Sequence, residues 1–182
     1  MRFTPQAIAD VVLVEPTVLW DARGCFQEVW RSDRFAEAGI DATFVQDNHS
    51  RSVCGTLRGL HYQLEKPQGK LVRVVSGEIY DVAVDLRRNS PTFGRWVGTT
   101  LSAENFCQLW VPPGFAHGFY VTSASADVSY KCTAFYHAPS ERCLLWNDPE
   151  LAITWPMTAG RPPLISAKDQ AGTRLRIAET FQ

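Results

Sequence analysis

The stretch Gln68 to Trp96, QGKLVRVVSGEIYDVAVDLRRNSPTFGRW, decides the fold class of this chain. Leu71 to Val75 is an apolar, largely β-branched run, Ser76-Gly77 interrupts it, and Ile79 to Leu86 resumes it. Two such runs either side of a short glycine-bearing turn predict a β-hairpin. In the second run Asp81, Ala83 and Asp85 alternate with Val82, Val84 and Leu86, a period of two that puts the last three on one face. Outward from here the same reading gives strands over Trp96–Leu101, Gln108–Val111, Gly118–Thr122, Val128–Thr133 and Arg142–Trp146. Turn residues such as Asn89-Ser90-Pro91 and Pro112-Pro113-Gly114 separate them. Short strands spaced about 8 to 12 residues apart predict an antiparallel sandwich or barrel. Helix is scarce. Ser32 is placed to cap a short one that runs through Ala38 and stops at Gly39, and a second is expected around Ser166–Ala171. The expected fold is all-β, an antiparallel jelly-roll barrel with a few short peripheral helices.

The 182 residues, 45% hydrophobic and 20% charged, fit one packed domain over 1–182. Glycine and proline are spread evenly, so no linker divides the chain, and no internal repeat is visible. Lysine plus arginine (18) nearly balances aspartate plus glutamate (19), which argues against nucleic acid as a partner. No stretch approaches the roughly 18 to 20 apolar residues of a membrane span, and no basic-then-apolar signal opens the chain. Five cysteines without a CxxC pair then read as reduced thiols. The expectation is a cytoplasmic globule with no membrane contact.

Four histidines can be weighed singly. His61 lies in a strand-like run with Arg58 near it, and Lys70 follows a Pro67-Gln68-Gly69 turn. Alternation would separate Arg58 from His61, so Gly59 is expected to mark a bulge that turns both inward. An imidazole, a guanidinium and an amine converging on an interior are costly without an anionic ligand. His117 follows Pro112-Pro113-Gly114-Phe115-Ala116, and its plain reading is a ring bonded to a main-chain carbonyl. His49 and His137 have no evident charged partner and read as structural or peripheral. Tyr130 by default packs in a strand, and Asp169 by default caps a helix or sits on the surface.

Gly55 and His61, with Pro112-x-Gly114-x-x-His117, resemble the two cupin motifs. Gln63 stands where cupins carry the second histidine of H-x-H, and no glutamate follows in place. Two imidazoles alone make a poor metal site, so no metal is expected.

Longer motifs carry a closer resemblance. DARGCFQEVW, FVQDNHSRS, GTLRGLHYQ, QGKLVRVVSGEIYDVAVDLRRNSPTFGRW, LSAENFCQLWVPPGFAHGF, YKCTAFYHAPSER and LLWNDPELAITWP follow one another as in the dTDP-4-dehydrorhamnose 3,5-epimerases. The likeness runs from about residue 3 to about residue 172. It implies a cupin-like jelly roll that works without metal or cofactor, as a homodimer, on a dTDP-4-keto-6-deoxy sugar. It also implies N-terminal strands (about 1–30) exchanged across the dimer and a C-terminal extension over about 150–182. By the same resemblance His61 is the base, Asp169 the carboxylate that holds its ring, Lys70 the cation beside the C4 oxygen and Tyr130 the acid on the opposite face. Arg23, Glu28, Gln46, Asp47, Asn48, Arg58, His117, Glu141 and Lys168 match substrate-binding positions, and Tyr136 matches an aromatic that stacks on thymine. An ion pair between Arg23 and Glu28 is the plain alternative for those two. The loop Gln63 to Gln68 lacks a Pro-Pro pair that many relatives carry, while Gln68-Gly69-Lys70-Leu71-Val72-Arg73 keeps the pattern around Lys70. The chemistry needs such residues, because a C4 ketone acidifies C3 and C5, and inversion takes a base, an acid and a cation for the enolate. Rival readings are an epimerase of one centre only, a metal-dependent cupin enzyme and a non-catalytic sugar-nucleotide binder.

Overall fold

The computed structural model describes residues 1–157 and 161–182. Strands are β1 (Arg2–Pro5), β2 (Val12–Glu15), β3 (Val18–Asp21), β4 (Gly24–Gln27), β5 (Gln46–Val53), β6 (Leu57–Gln63) and β7 (Lys70–Ser76). They continue as β8 (Glu78–Asp85), β9 (Trp96–Ser102), β10 (Gln108–Val111), β11 (Phe115–Val121), β12 (Ser125–Cys132) and β13 (Glu141–Cys143). Helices α1 (Ser32–Glu37) and α2 (Ala167–Gln170) are short, as expected. Every strand pairing is antiparallel. One sheet has the order β1-β2-β10-β7-β12-β5, a second β13-β6-β11-β8-β9, and β3-β4 stand apart as a hairpin. Among the described residues neither sheet closes on itself, so the expected barrel is, at this level, two open sheets.

Period-two alternation builds three apolar layers. Val72 and Val74 of β7, Ile79 and Ala83 of β8, Phe115 and Phe119 of β11 and Val128 of β12 form a core between the sheets. Val82 and Val84 point the other way, where they meet Leu144, Leu151 and Trp155 of the C-terminal segment. On the outer face of the six-stranded sheet, Leu71 and Trp110 meet Phe35 of α1 and Ile40. Leu151, Trp155 and Ala178 thus pack over one sheet, and residues 158–160 lie outside the described residues.

Two local expectations are corrected. The runs either side of Gly77 are strands, but they do not pair: β7 lies between β10 and β12, and β8 between β11 and β9. Gly77 is therefore a corner between sheets. It has φ 79°, and a Cβ there would stand 2.0 Å from the Ser125 carbonyl oxygen. Val72 and Val74 of β7 and Ile79 and Ala83 of β8 bury against each other between the sheets, and each run gains two partner strands, so each finds a lower free energy inside its own sheet than as an isolated hairpin. Second, Ser32 does not cap α1. Arg31 occupies that position without a side-chain bond, whereas Ser166 does cap α2 by accepting from the Asp169 N–H. Asp81 and Asp85, which alternate away from the valines, are also fully buried, because the second face of β8 turns inward too.

Candidate active site

At one end of the sandwich the edge strand β5 and its neighbour β12 face the edge strand β13 and its neighbour β6 across a narrow cleft of about 100 Å³. Gln46, Asn48 and Tyr130 line it from the six-stranded sheet, along with Lys70 at the start of β7. His61, Gln63 and Glu141 line it from the five-stranded sheet. His61 and Tyr130 therefore approach one space from opposing sheets.

A one-residue insertion in β6 aims His61. His117 pairs with His61 and Phe119 with Arg58, so Gly59 and Leu60 stand opposite Gly118 alone. Leu57, Leu60 and Tyr62 consequently all belong to the outer cluster, and the expected bulge brings Arg58 and His61 to the inner face. Glycine is needed twice here: a Cβ on Gly59, at φ 124°, would lie 2.5 Å from Gly118 Cα, and one on Gly118 would lie 2.6 Å from the Arg58 oxygen.

The His61 ring donates from Nε2 to Asp169 Oδ1 at 2.7 Å, and Asp169 Oδ2 accepts from the Gly59 N–H at 3.2 Å. Asp169 is buried on α2, not a surface acid. Burial alone would push its carboxyl up, but the bonds from His61, Gly59 and Ser166 together hold it below the usual carboxylate range. With Nε2 engaged, Nδ1 is the nitrogen left for a ligand. Lys70 is buried, which pulls its ammonium below the ordinary lysine range against the opposing pull of Cys132, Asp81 and Glu141. Burial raises the Tyr130 phenol above its ordinary value, so it stays protonated at neutral pH.

At the cleft mouth, Tyr136 donates its hydroxyl to Glu141 at 2.7 Å, Lys168 pairs with the same carboxylate, and the Tyr136 N–H bonds Gln46. Arg58 reaches from β6 to Ser52 Oγ on β5 at 2.9 Å, joining the two sheets at the other end.

Three expected site residues, Arg23, Glu28 and Asp47, lie elsewhere in the protomer. Arg23 sits at the tip of the β3–β4 hairpin, paired with Asp21 at 2.6 Å. Glu28 stands 3.7 Å from Arg31 and 3.4 Å from Arg34, so the two do not form the ion pair expected as their plain reading. Asp47 alternates to the outer face of β5, where it meets Lys131. His117 is buried beside His61 and bonds the Asp81 carboxylate at 2.8 Å, in place of the expected carbonyl. His49 likewise has a charged partner that the sequence hid, Asp127 at 2.8 Å. His137 bonds Ser140.

Two residues of the site escaped the sequence reading. Asp81 holds His117 with one oxygen, and its other oxygen has no hydrogen-bond partner among the described residues. Its signal was an acid repeating with Ala83 at period two on a strand already apolar on its other face. Gln63 ties the loop residues Lys66 and Phe135 by their carbonyls and accepts from the His137 N–H; its signal was only the failed H-x-H.

The cleft can hold a polar ligand between a base and an acid on opposite sides, with a cation near both. Comparison with known proteins gives the same direction. A family model described as dTDP-4-dehydrorhamnose 3,5-epimerase matches residues 5–176. The chain is 56% identical over 182 residues to the dTDP-4-dehydrorhamnose 3,5-epimerase of Pseudomonas aeruginosa, covering 100% of this chain and 99% of that one. A Legionella pneumophila dTDP-6-deoxy-D-glucose-3,5-epimerase, solved in complex with dTDP-4-keto-L-rhamnose, superposes with TM-score 0.94 at 50% identity, covering 98% and 94% of the two chains. A 3'-monoepimerase from Streptomyces bikiniensis, solved with dTDP-quinovose, superposes with TM-score 0.87 at 34% identity, covering 94% and 87%.

Proposed function

This chain belongs to the dTDP-4-dehydrorhamnose 3,5-epimerase family, and we propose on that premise that its cleft inverts C5 and C3 of dTDP-4-dehydro-6-deoxy-D-glucose to give dTDP-4-dehydro-L-rhamnose. The observation that carries the assignment of roles is the approach of His61 and Tyr130 to one cleft from opposing sheets.

His61 Nδ1 takes the proton from a carbon next to the C4 ketone, and the electron pair moves onto the C4 oxygen as an enolate. Asp169 fixes the ring tautomer and stabilises the imidazolium that forms. The Lys70 ammonium faces the developing oxyanion, an interaction whose loss typically costs about 10²- to 10³-fold in turnover. Tyr130 then returns a proton to the carbon from the other face, and both groups reset by exchange with solvent. No redox change occurs and no cofactor enters these steps.

The remaining assignments follow at the mouth. Tyr136, exposed beside Glu141, offers a flat face for thymine, a kind of contact worth about 1 to 3 kcal/mol. Arg58 suits pyrophosphate through its fork of donors. Arg23 reaches a cleft only from a second subunit. Leu19, Trp20 and Phe26 of its hairpin are exposed in the lone chain, which supports a homodimer in which β3 and β4 cross to the partner. The exchange of consecutive strands between two facing sheets, as at Gly77, supports a cupin-type jelly roll. No helix among the described residues is long and apolar enough to cross a membrane, and the chain acts in the cytoplasm, where its thiols stay reduced.

Incubation with dTDP-4-dehydro-6-deoxy-D-glucose in D₂O tests the reading. Deuterium is expected at both C3 and C5, and label at one carbon alone would leave a single-centre epimerase. His61→Ala should abolish exchange at both. Tyr130→Phe should still exchange but invert poorly, and normal inversion by it would remove the phenol from the mechanism.

A further inference from the structure

Cys143 stands directly opposite His61 in the β13–β6 register, so the two side chains share the inner face. Its sulfur lies 4.0 Å from the same Asp169 oxygen that accepts from His61. A nitrogen, a sulfur and an oxygen donor thus gather within 4.8 Å of one another beside the cleft. Counting only His61 and His117 gives two ligands of one kind; folding adds two more, from β13 and α2.

We propose that His61, Cys143 and Asp169 form a binding site for a soft divalent cation of the Zn²⁺ and Cd²⁺ type, and that its occupation switches the epimerase off. The inhibitory half rests on the reading of His61 as the base. Zn²⁺ accepts histidine, thiolate and carboxylate together and commonly takes three protein ligands with one position left open. Oxygen-seeking Mg²⁺ has no use for the thiol.

The proton balance explains the loss of activity. In the resting ring the single hydrogen sits on Nε2 and faces Asp169, leaving the Nδ1 lone pair to receive the substrate proton. A cation bound at Nε2 replaces the hydrogen there and uses that nitrogen's electron pair, so the ring carries its one hydrogen on Nδ1 and the Nδ1 lone pair is lost. The Cys143 thiol gives one proton to solvent, and the carboxylate binds as it stands. The substrate then meets an N–H where it would have met a base. Nothing is oxidised or reduced.

Chelator-treated protein titrated with CdCl₂ tests this, following the ultraviolet cadmium–thiolate band and the epimerisation rate together. The band is expected to saturate at one cation per chain while the rate falls at least about tenfold, and EDTA should restore it. Cys143→Ala, active without metal, should lack that band and bind cadmium at least about tenfold more weakly, as should Cys143→Ser if the alanine variant folds poorly. MgCl₂ should leave the rate unchanged. No band in the wild type, a band with undiminished rate, or equal sensitivity in both variants would overturn the proposal. A wild type inactive even after chelation counts against the epimerase reading instead, and the band alone then decides whether the cation site exists.

Discussion

Lys70 shows how one side chain trades stability for chemistry. Its ammonium is buried among Cys132, Asp81 and Glu141 and makes no hydrogen bond among the described residues. Because burial lowers its folded pKa, the folded state binds fewer protons than the unfolded chain between the two values. Stability therefore rises as pH climbs through that window, below the ordinary lysine pKa of about 10.4, and the cost is fully present at lower pH. Lys70→Met keeps the volume and removes the charge. It should lower turnover at least about 100-fold while making the fold about 1 kcal/mol more stable at neutral pH. Denaturant titrations at several pH values check the second half: the variant's midpoint should be flatter with pH above neutrality. A variant both inactive and less stable would mean the ammonium has a stabilising partner in the folded state.

Between residue and fold stands the insertion in β6. Strand pairing elsewhere in this sheet is regular, with β8 and β11 matched without a break from Asp85 opposite Phe115 to Ile79 opposite Val121. Only at Gly59 does the register slip, and that slip puts Arg58 and His61 on the same face. Gly59→Ala adds a methyl group where backbone stands 2.5 Å away and where φ disfavours any side chain. The expected cost is about 3 kcal/mol, with loss of most activity in the protein that still folds, because His61 would turn from Asp169. Thermal denaturation and single-turnover exchange in D₂O separate the two effects. Glycine-to-alanine at an exposed turn such as Gly39, where a Cβ meets nothing within 4 Å, supplies the control for φ alone.

The whole molecule raises the question of what completes the cleft. With about 100 Å³ and no Arg23, the cavity of a lone protomer is small for a sugar nucleotide. If the partner's hairpin supplies the missing wall, variants in different parts of the chain should complement one another. Equal mixing of inactive Arg23→Ala and His61→Ala proteins, unfolded and refolded together, should recover about a quarter of the wild-type rate. Half the dimers are mixed, and each mixed dimer carries one intact site of two. No recovery, with dimers confirmed by light scattering, would place Arg23 in its own protomer's site or outside any.

Local pattern in the sequence determined where the strands lie. Gln108–Val111 and the period of β8 are readable because side chains alternate every residue whatever the partner strand. The bulge at Gly59 was legible too, since an arginine and a histidine three apart could share a face only through it. Partnership was not legible. That β7 and β8 part at Gly77, that His117 meets Asp81 and that Cys143 joins His61 and Asp169 depend on residues tens of positions apart. Those contacts are fixed by which pairing buries both faces of each strand at once, a property of the closed tertiary packing that no local window contains.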